Sequence, residues 1–193
     1  YGEAVDLGYC RPITFHRHEG KFLFDLMDGD VVEVSGKSGP KLSDEQRRKI
    51  KRIPSIDKAM DFYNLATTIK HLDEHSQIPD LDSFMATMIK EGEEKLEEAR
   101  FGIPDAGGLV IAPDIESANH IAKIIEQVSS EKPVIVHSKE KNAQNRLKAY
   151  KNNQSKWLVS VAMVSEGVDI PRLRVLVYLP TAMTELFFRQ AMG

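Results

Sequence analysis

From residue 107 onward the sequence alternates short apolar runs with amphipathic stretches, and that alternation leaves few folds open. Leu109-Val110-Ile111-Ala112 reads as a buried strand, and Ile115, Ala118, Ala122 and Ile125 recur at helical spacing behind it. Val134-Ile135-Val136 is a second strand, followed by a helix carrying Ala143, Leu147 and Tyr150. Trp157-Leu158-Val159-Ser160-Val161 is a third and Val175-Leu176-Val177-Tyr178-Leu179 a fourth, with Leu186 and Phe187 on a closing helix. Strands apolar on both sides and separated by helices build a parallel sheet covered on both faces. Ligands of such sheets sit beyond the carboxyl ends of the strands. The segments to watch are therefore 112–114, 137–139, 162–169 and 180–185.

The first half has another texture. Ile13-Thr14-Phe15 and Phe22-Leu23-Phe24 flank His18-Glu19-Gly20, and Val31-Val32-Glu33-Val34 follows Asp28-Gly29-Asp30, a pattern of antiparallel strands. Residues 36–54 are polar and broken by Gly36, Gly39, Pro40 and Pro54, as in a connector. Two helices are expected next. Ser55 caps the first, with Ala59, Phe62, Ala66 and Ile69 as its stripe; Asp80 caps the second, with Leu81, Phe84, Met88, Leu96 and Ala99 on one face and Gly102 and Pro104 as its stop. The expected organisation is an antiparallel and crossing segment over 1–54, a helical segment over 55–104 and an α/β unit over 105–193. No internal repeat or low-complexity tract interrupts it.

Composition excludes some classes. The chain has 193 residues, 41% hydrophobic and 28% charged, which suits a globular domain with a sizeable core. No apolar run reaches the roughly 20 residues of a membrane helix, so no membrane partner is expected. Cys10 is the sole cysteine, which rules out an internal disulfide and fits a reducing, cytoplasmic setting. The net charge of −3 is unevenly spread. Residues 37–52 and 139–156 are basic, and Glu91 to Glu98 is acidic. Local basic surface attracts phosphate even on an acidic chain.

Three short patterns are set aside. Gly36-Lys37-Ser38 looks like the end of a P-loop, but Val31 stands where that motif needs glycine. His71-Leu72-Asp73-Glu74-His75 matches a zinc-protease spacing, but a solvent-facing helix end explains it better. Asn153-Gln154-Ser155 fits a glycosylation sequon by chance. No G-x-G-x-x-G follows any strand, which speaks against a dinucleotide enzyme.

The most informative stretch is Val164-Ser165-Glu166-Gly167-Val168-Asp169-Ile170-Pro171, followed by Arg172-Leu173-Arg174 and then Phe188-Arg189-Gln190-Ala191-Met192-Gly193. Gly167 permits a sharp backbone turn. Asp169 is a short carboxylate able to accept from a ribose hydroxyl or hold an arginine. Together these runs resemble motif V and the start of motif VI of superfamily 2 helicases of the DEAD/DEAH and type III restriction-enzyme kind, as in phage and bacterial proteins. Leu109 to Pro113 and Val134 to Ser138 resemble motif IV and its neighbour. Glu3-Ala4-Val5, Gly8 and Arg11-Pro12 resemble the crossing between the two motor lobes.

That resemblance implies a RecA-like second motor lobe of an ATP-dependent helicase or translocase. Gly167, Asp169 and Gln190 would face ATP. Pro113, Asp114, His137, Ser138, Ala162 and Met163 would grip a DNA or RNA backbone with little sequence preference. The Ser138 hydroxyl is equally suited to capping the next helix. ATP and Mg2+ would be held mainly by the other, N-terminal RecA-like lobe of the same protein. The chain departs from the pattern at Val161, where many relatives carry threonine or serine; Ser160 points to the other face. The family's motif VI arginines would follow Gly193, so no catalytic residue is expected within these residues and no turnover from them alone. The alternative is a non-catalytic nucleic-acid-binding or scaffold lobe.

Overall fold

The computed structural model of the chain describes residues 20–35, 65–67, 70–73 and 78–161, residues 170–179, and single positions at Asp6, Thr14, His16, Ser43, Glu45, Gln46 and Ser76. Among the described residues the architecture is α/β, with a four-stranded parallel sheet flanked by helices and a separate antiparallel pair.

The antiparallel pair is β1 (Lys21–Asp25) and β2 (Val31–Ser35), paired from Lys21 opposite Ser35 to Asp25 opposite Val31. Alternation puts Phe22, Phe24, Val32 and Val34 on one face, where they meet Leu65 and Ala66 in a small core. Leu65–Thr67 is helical, as the Ala66 stripe requires; Ser55, Ala59, Phe62 and Ile69 lie outside the described residues. Leu72 bridges to Pro79, so the His71 region is extended and not a helix end. The His71 ring stacks on Phe22 instead, with centroids 6.3 Å apart.

Helix α1 runs Phe84–Gly102, and Ser83 caps it, accepting from the Ala86 N–H at 3.2 Å. Asp80 is not the cap: its carboxylate accepts from the Asp82 N–H at 2.9 Å and shapes the preceding turn. Starting later rotates the buried face to Met85, Ala86, Ile89, Gly92, Glu93 and Leu96. Leu81, Met88 and Ala99 sit at its margin, and Phe84 packs on the hairpin core.

Strands β3 (Gly107–Ile111), β4 (Val134–His137), β5 (Trp157–Val161) and β6 (Leu173–Tyr178) alternate with α2 (Ile115–Ser129) and α3 (Ala143–Lys151). The sheet order is β4-β5-β3-β6, all parallel. Both central strands are buried along their whole length, which is why they read as continuous apolar runs. Val110, Val159, Val161 and Val177 pack beneath α1 and α2 with Ile89, Ile121, Ile124 and Ile125. Leu109, Ile111, Val136 and Leu158 face the other way, against Leu147 and Tyr150 of α3. One strand thus feeds two cores through its two-residue period.

No helix among the described residues is long and apolar enough to cross a membrane.

Candidate functional site

The register sets the carboxyl ends of all four strands level with one another. Ile111 pairs with Ser160 on one side and with Tyr178 on the other, and Val161 pairs with His137. The segments leaving β3 and β4 therefore lie on either side of the end of β5. Two pairs of the expected contact residues, Pro113 with Asp114 and His137 with Ser138, are brought to this one rim. Ala162, Met163, Gly167, Asp169 and Gln190 lie outside the described residues, as does the segment 180–185.

Each rim residue has its own chemistry. Asp114 is the N-cap of α2, accepting from the Ser117 N–H at 2.7 Å. Its carboxylate is exposed. An ionised carboxylate only accepts, so toward a nucleotide it suits a hydroxyl or an amino donor, not a phosphate. The Ser117 hydroxyl behind it is buried without a hydrogen-bond partner. His137 is half-buried, and its Nδ1 is also buried without a partner. Ser138 is exposed and does not cap α3. That helix starts at Ala143 behind Asn142, which makes no side-chain cap bond. The Ser138 hydroxyl is thereby left facing outward on the loop. Val161 belongs to the core under α1 and α2, so Ser160 points toward α3, as alternation demands. Its Oγ is buried and unpartnered.

Charge around the rim is asymmetric. The β3–α2 side carries Asp114 and Glu116, the latter paired with Lys70 at 3.1 Å. The β4–α3 side carries exposed Lys139 and Lys141. The basic stretch 139–156 does not act as one surface. Arg146 is tied to Glu140 at 2.8 Å, and Lys156 is held by Glu97 at 2.6 Å and Glu93 at 3.1 Å. Burial works against the charge of Lys156, but hydrogen bonds to Glu97 and Glu93 outweigh it and raise its pKa. The reason is geometric. Helix α3 runs back against the strands, and its last turn reaches the opposite end of the sheet. There the Tyr150 hydroxyl donates, shared between the carbonyls of Lys156 (3.0 Å) and Gly108 (3.2 Å).

That opposite end is held by side chains to which the sequence assigned no role. Arg172 is buried, with its guanidinium 4.0 Å from the Tyr150 ring centroid. It donates to the carbonyls of Ser155 (2.7 Å), Asp105 (2.9 Å) and Tyr150 (3.0 Å). Glu93 accepts from Trp157 Nε1 at 2.6 Å. Back on the rim side, His120, one turn after Glu116 in α2, is buried with an unpartnered Nε2. Burial first, then Lys70, Lys123 and His71, lower its pKa to about 4 against the pull of Glu116. The only sequence signal for Arg172 was the paired arginine pattern after Pro171. Glu93 was hidden inside an acidic stretch that reads as surface.

No protein-family model matches the chain. An uncharacterized protein of Mycobacterium leprae is 33% identical over 193 residues, and one of Mycobacterium tuberculosis is 33% identical over the same length. The whole chain is covered in both, but it spans 28% of each relative. Among solved structures, the Mss116p DEAD-box helicase domain 2 bound to an RNA duplex overlaps 56% of the chain and 45% of its own, at 17% identity and a TM-score of 0.44. The Hef helicase domain of Pyrococcus furiosus overlaps 56% and 23%, at 19% identity and a TM-score of 0.43. Overlap of that extent carries no functional argument.

Proposed function

We propose that the chain is the second motor lobe of a superfamily 2 ATP-dependent helicase or translocase. The observation that carries this reading is positional. The chain leaves the central strand β5 at Val161, whose carboxyl end is flanked by the ends of β3 and β4, and the run Ser165-Glu166-Gly167-Val168-Asp169-Ile170-Pro171, which resembles motif V, comes next in the sequence. Ligands of parallel sheets gather at that place.

In this reading Gly167, Asp169 and Gln190 complete an ATP site whose phosphates and Mg2+ are held by a partner RecA-like lobe in the longer protein. Asp169 accepts from the ribose or orients an arginine. Pro113, His137, Ser138, Ala162 and Met163 hold the phosphodiester backbone of DNA or RNA, with Asp114 taking a sugar or base donor. ATP binding closes the cleft between the lobes and hydrolysis reopens it, a hinge cycle that advances the pair along the strand.

Replacing Asp169 by alanine in the intact protein tests the assignment. ATP turnover should fall at least about tenfold, a loss of about 1.4 kcal/mol of transition-state stabilisation, with the far-ultraviolet circular dichroism unchanged. Unaltered turnover in a folded Asp169→Ala protein would remove Asp169 from the site and leave a scaffold lobe as the better description.

A further inference from the structure

Helix α3 buries Ala143, Leu147 and Tyr150 and turns Gln144, Asn145, Lys148 and Lys151 to solvent. Lys139 and Lys141 stand exposed in the loop that leads into it. None of these four lysines forms an ion pair or a hydrogen bond with a described residue. Elsewhere Lys21, Lys70, Lys95, Lys132 and Lys156 each reach a carboxylate. The one acidic side chain of the stretch, Glu140, is taken up by Arg146. The result is four uncompensated positive charges on a chain whose net charge is −3. They begin at the rim beside His137 and Ser138 and continue along the nine residues of α3, about 13 Å at 1.5 Å per residue. Their path leaves the rim, because α3 runs back toward the amino ends of the strands.

We infer that this outer face of α3 is a second phosphate-binding track, which carries a nucleic-acid strand away from the rim down the β4 side of the sheet. The inference rests on the nucleic-acid reading of the rim but is separate from it: Lys148 and Lys151 lie along the helix, away from the strand ends. Amide side chains of Gln144 and Asn145 interleave with the lysines and supply neutral donors to phosphate or sugar oxygens. Such a track lengthens the contact without reading sequence.

The test is fluorescence anisotropy with labelled single strands of about 8 and about 16 nucleotides, lengths within the range of single-strand binding sites. The chain should bind the longer strand more tightly and with a steeper salt dependence. Each phosphate contact contributes about 0.7 to the slope of log affinity against log salt, roughly fivefold in affinity at 0.1 M salt. Lys148→Ala combined with Lys151→Ala should therefore weaken the longer strand by roughly 25-fold and reduce its slope by about 1.4. Binding of the shorter strand should stay within about twofold, as expected if it occupies only the rim. If both strands bind but the double variant changes neither, the track is refuted while the rim reading stands. If neither strand binds at low salt, both fall. Competition by polyglutamate as strong as by oligonucleotide would overturn the track in favour of an acidic protein partner.

Discussion

Arg172→Met should be among the most destabilising single substitutions in the chain. The arginine is buried and spreads over three carbonyls, of Ser155, Asp105 and Tyr150, while its plane covers the Tyr150 ring. Methionine fills similar space without donors. The Asp105 end is exposed and water can replace the lost bond there. The carbonyls of Tyr150 and Ser155 are less accessible, and hydrogen bonds from a charged donor are worth about 1.5–3 kcal/mol each. The stacked cation adds about 1–2 kcal/mol. Tyr150 also accepts from Asn153 N–H at 3.4 Å, which softens its loss. The expected cost is about 3–4 kcal/mol, or a Tm lower by roughly 10 °C for a chain of this size. Arg172→Lys should recover only part of it, since a point charge cannot span three acceptors. Urea denaturation followed by Trp157 measures this directly, because that buried side chain is the only tryptophan. Arg146→Met is the comparison, an exposed ion pair worth no more than about 1 kcal/mol. A cost for Arg172→Met as small as that for Arg146→Met would refute the clamp.

Two further outcomes follow from burial. His120 has a folded pKa of about 4 against 6.5 when free, so the unfolded chain binds more protons between those values. Its contribution is complete above about pH 6.5 and is lost as pH falls toward 4, with about 2 kcal/mol gone by pH 5. His120→Gln should flatten the stability profile between pH 7 and 5, and equal slopes for the two proteins would show that His120 charges freely in the fold. At Gly108 a Cβ would run into the six-membered ring of Trp157. Gly108→Ala should cost about 1–3 kcal/mol by overpacking and shift the Trp157 emission; an unchanged spectrum and urea midpoint would mean the ring has room to move.

The strands were legible from the sequence because both faces of β3 and β5 are buried, so nothing polar interrupts the run. The helix behind β3 was legible for the complementary reason, with Ala118 and Ile125 pointing at one core. What the sequence concealed depends on geometry that periodicity does not encode. Asp80 and Ser83 are both good caps, and only the turn made by the Asp80 carboxylate hands the role to Ser83. Ser138 has the right chemistry to cap α3 but stands five positions before it. Lysines of one basic stretch separate in space, Lys156 into a part-buried pair with Glu93 and Lys148 onto open surface, because α3 turns back along the sheet. The clamp role of Arg172 was hidden for a similar reason: its acceptors are backbone carbonyls, which carry no residue identity.

The proposed role as one lobe of an ATP-driven nucleic-acid motor is tested most directly by steady-state ATP hydrolysis by the intact protein, with and without single-stranded oligonucleotide. Hydrolysis should rise at least about tenfold with the oligonucleotide, a coupling of about 1.4 kcal/mol, regardless of base sequence. Hydrolysis absent under both conditions, or present and indifferent to nucleic acid, would contradict it.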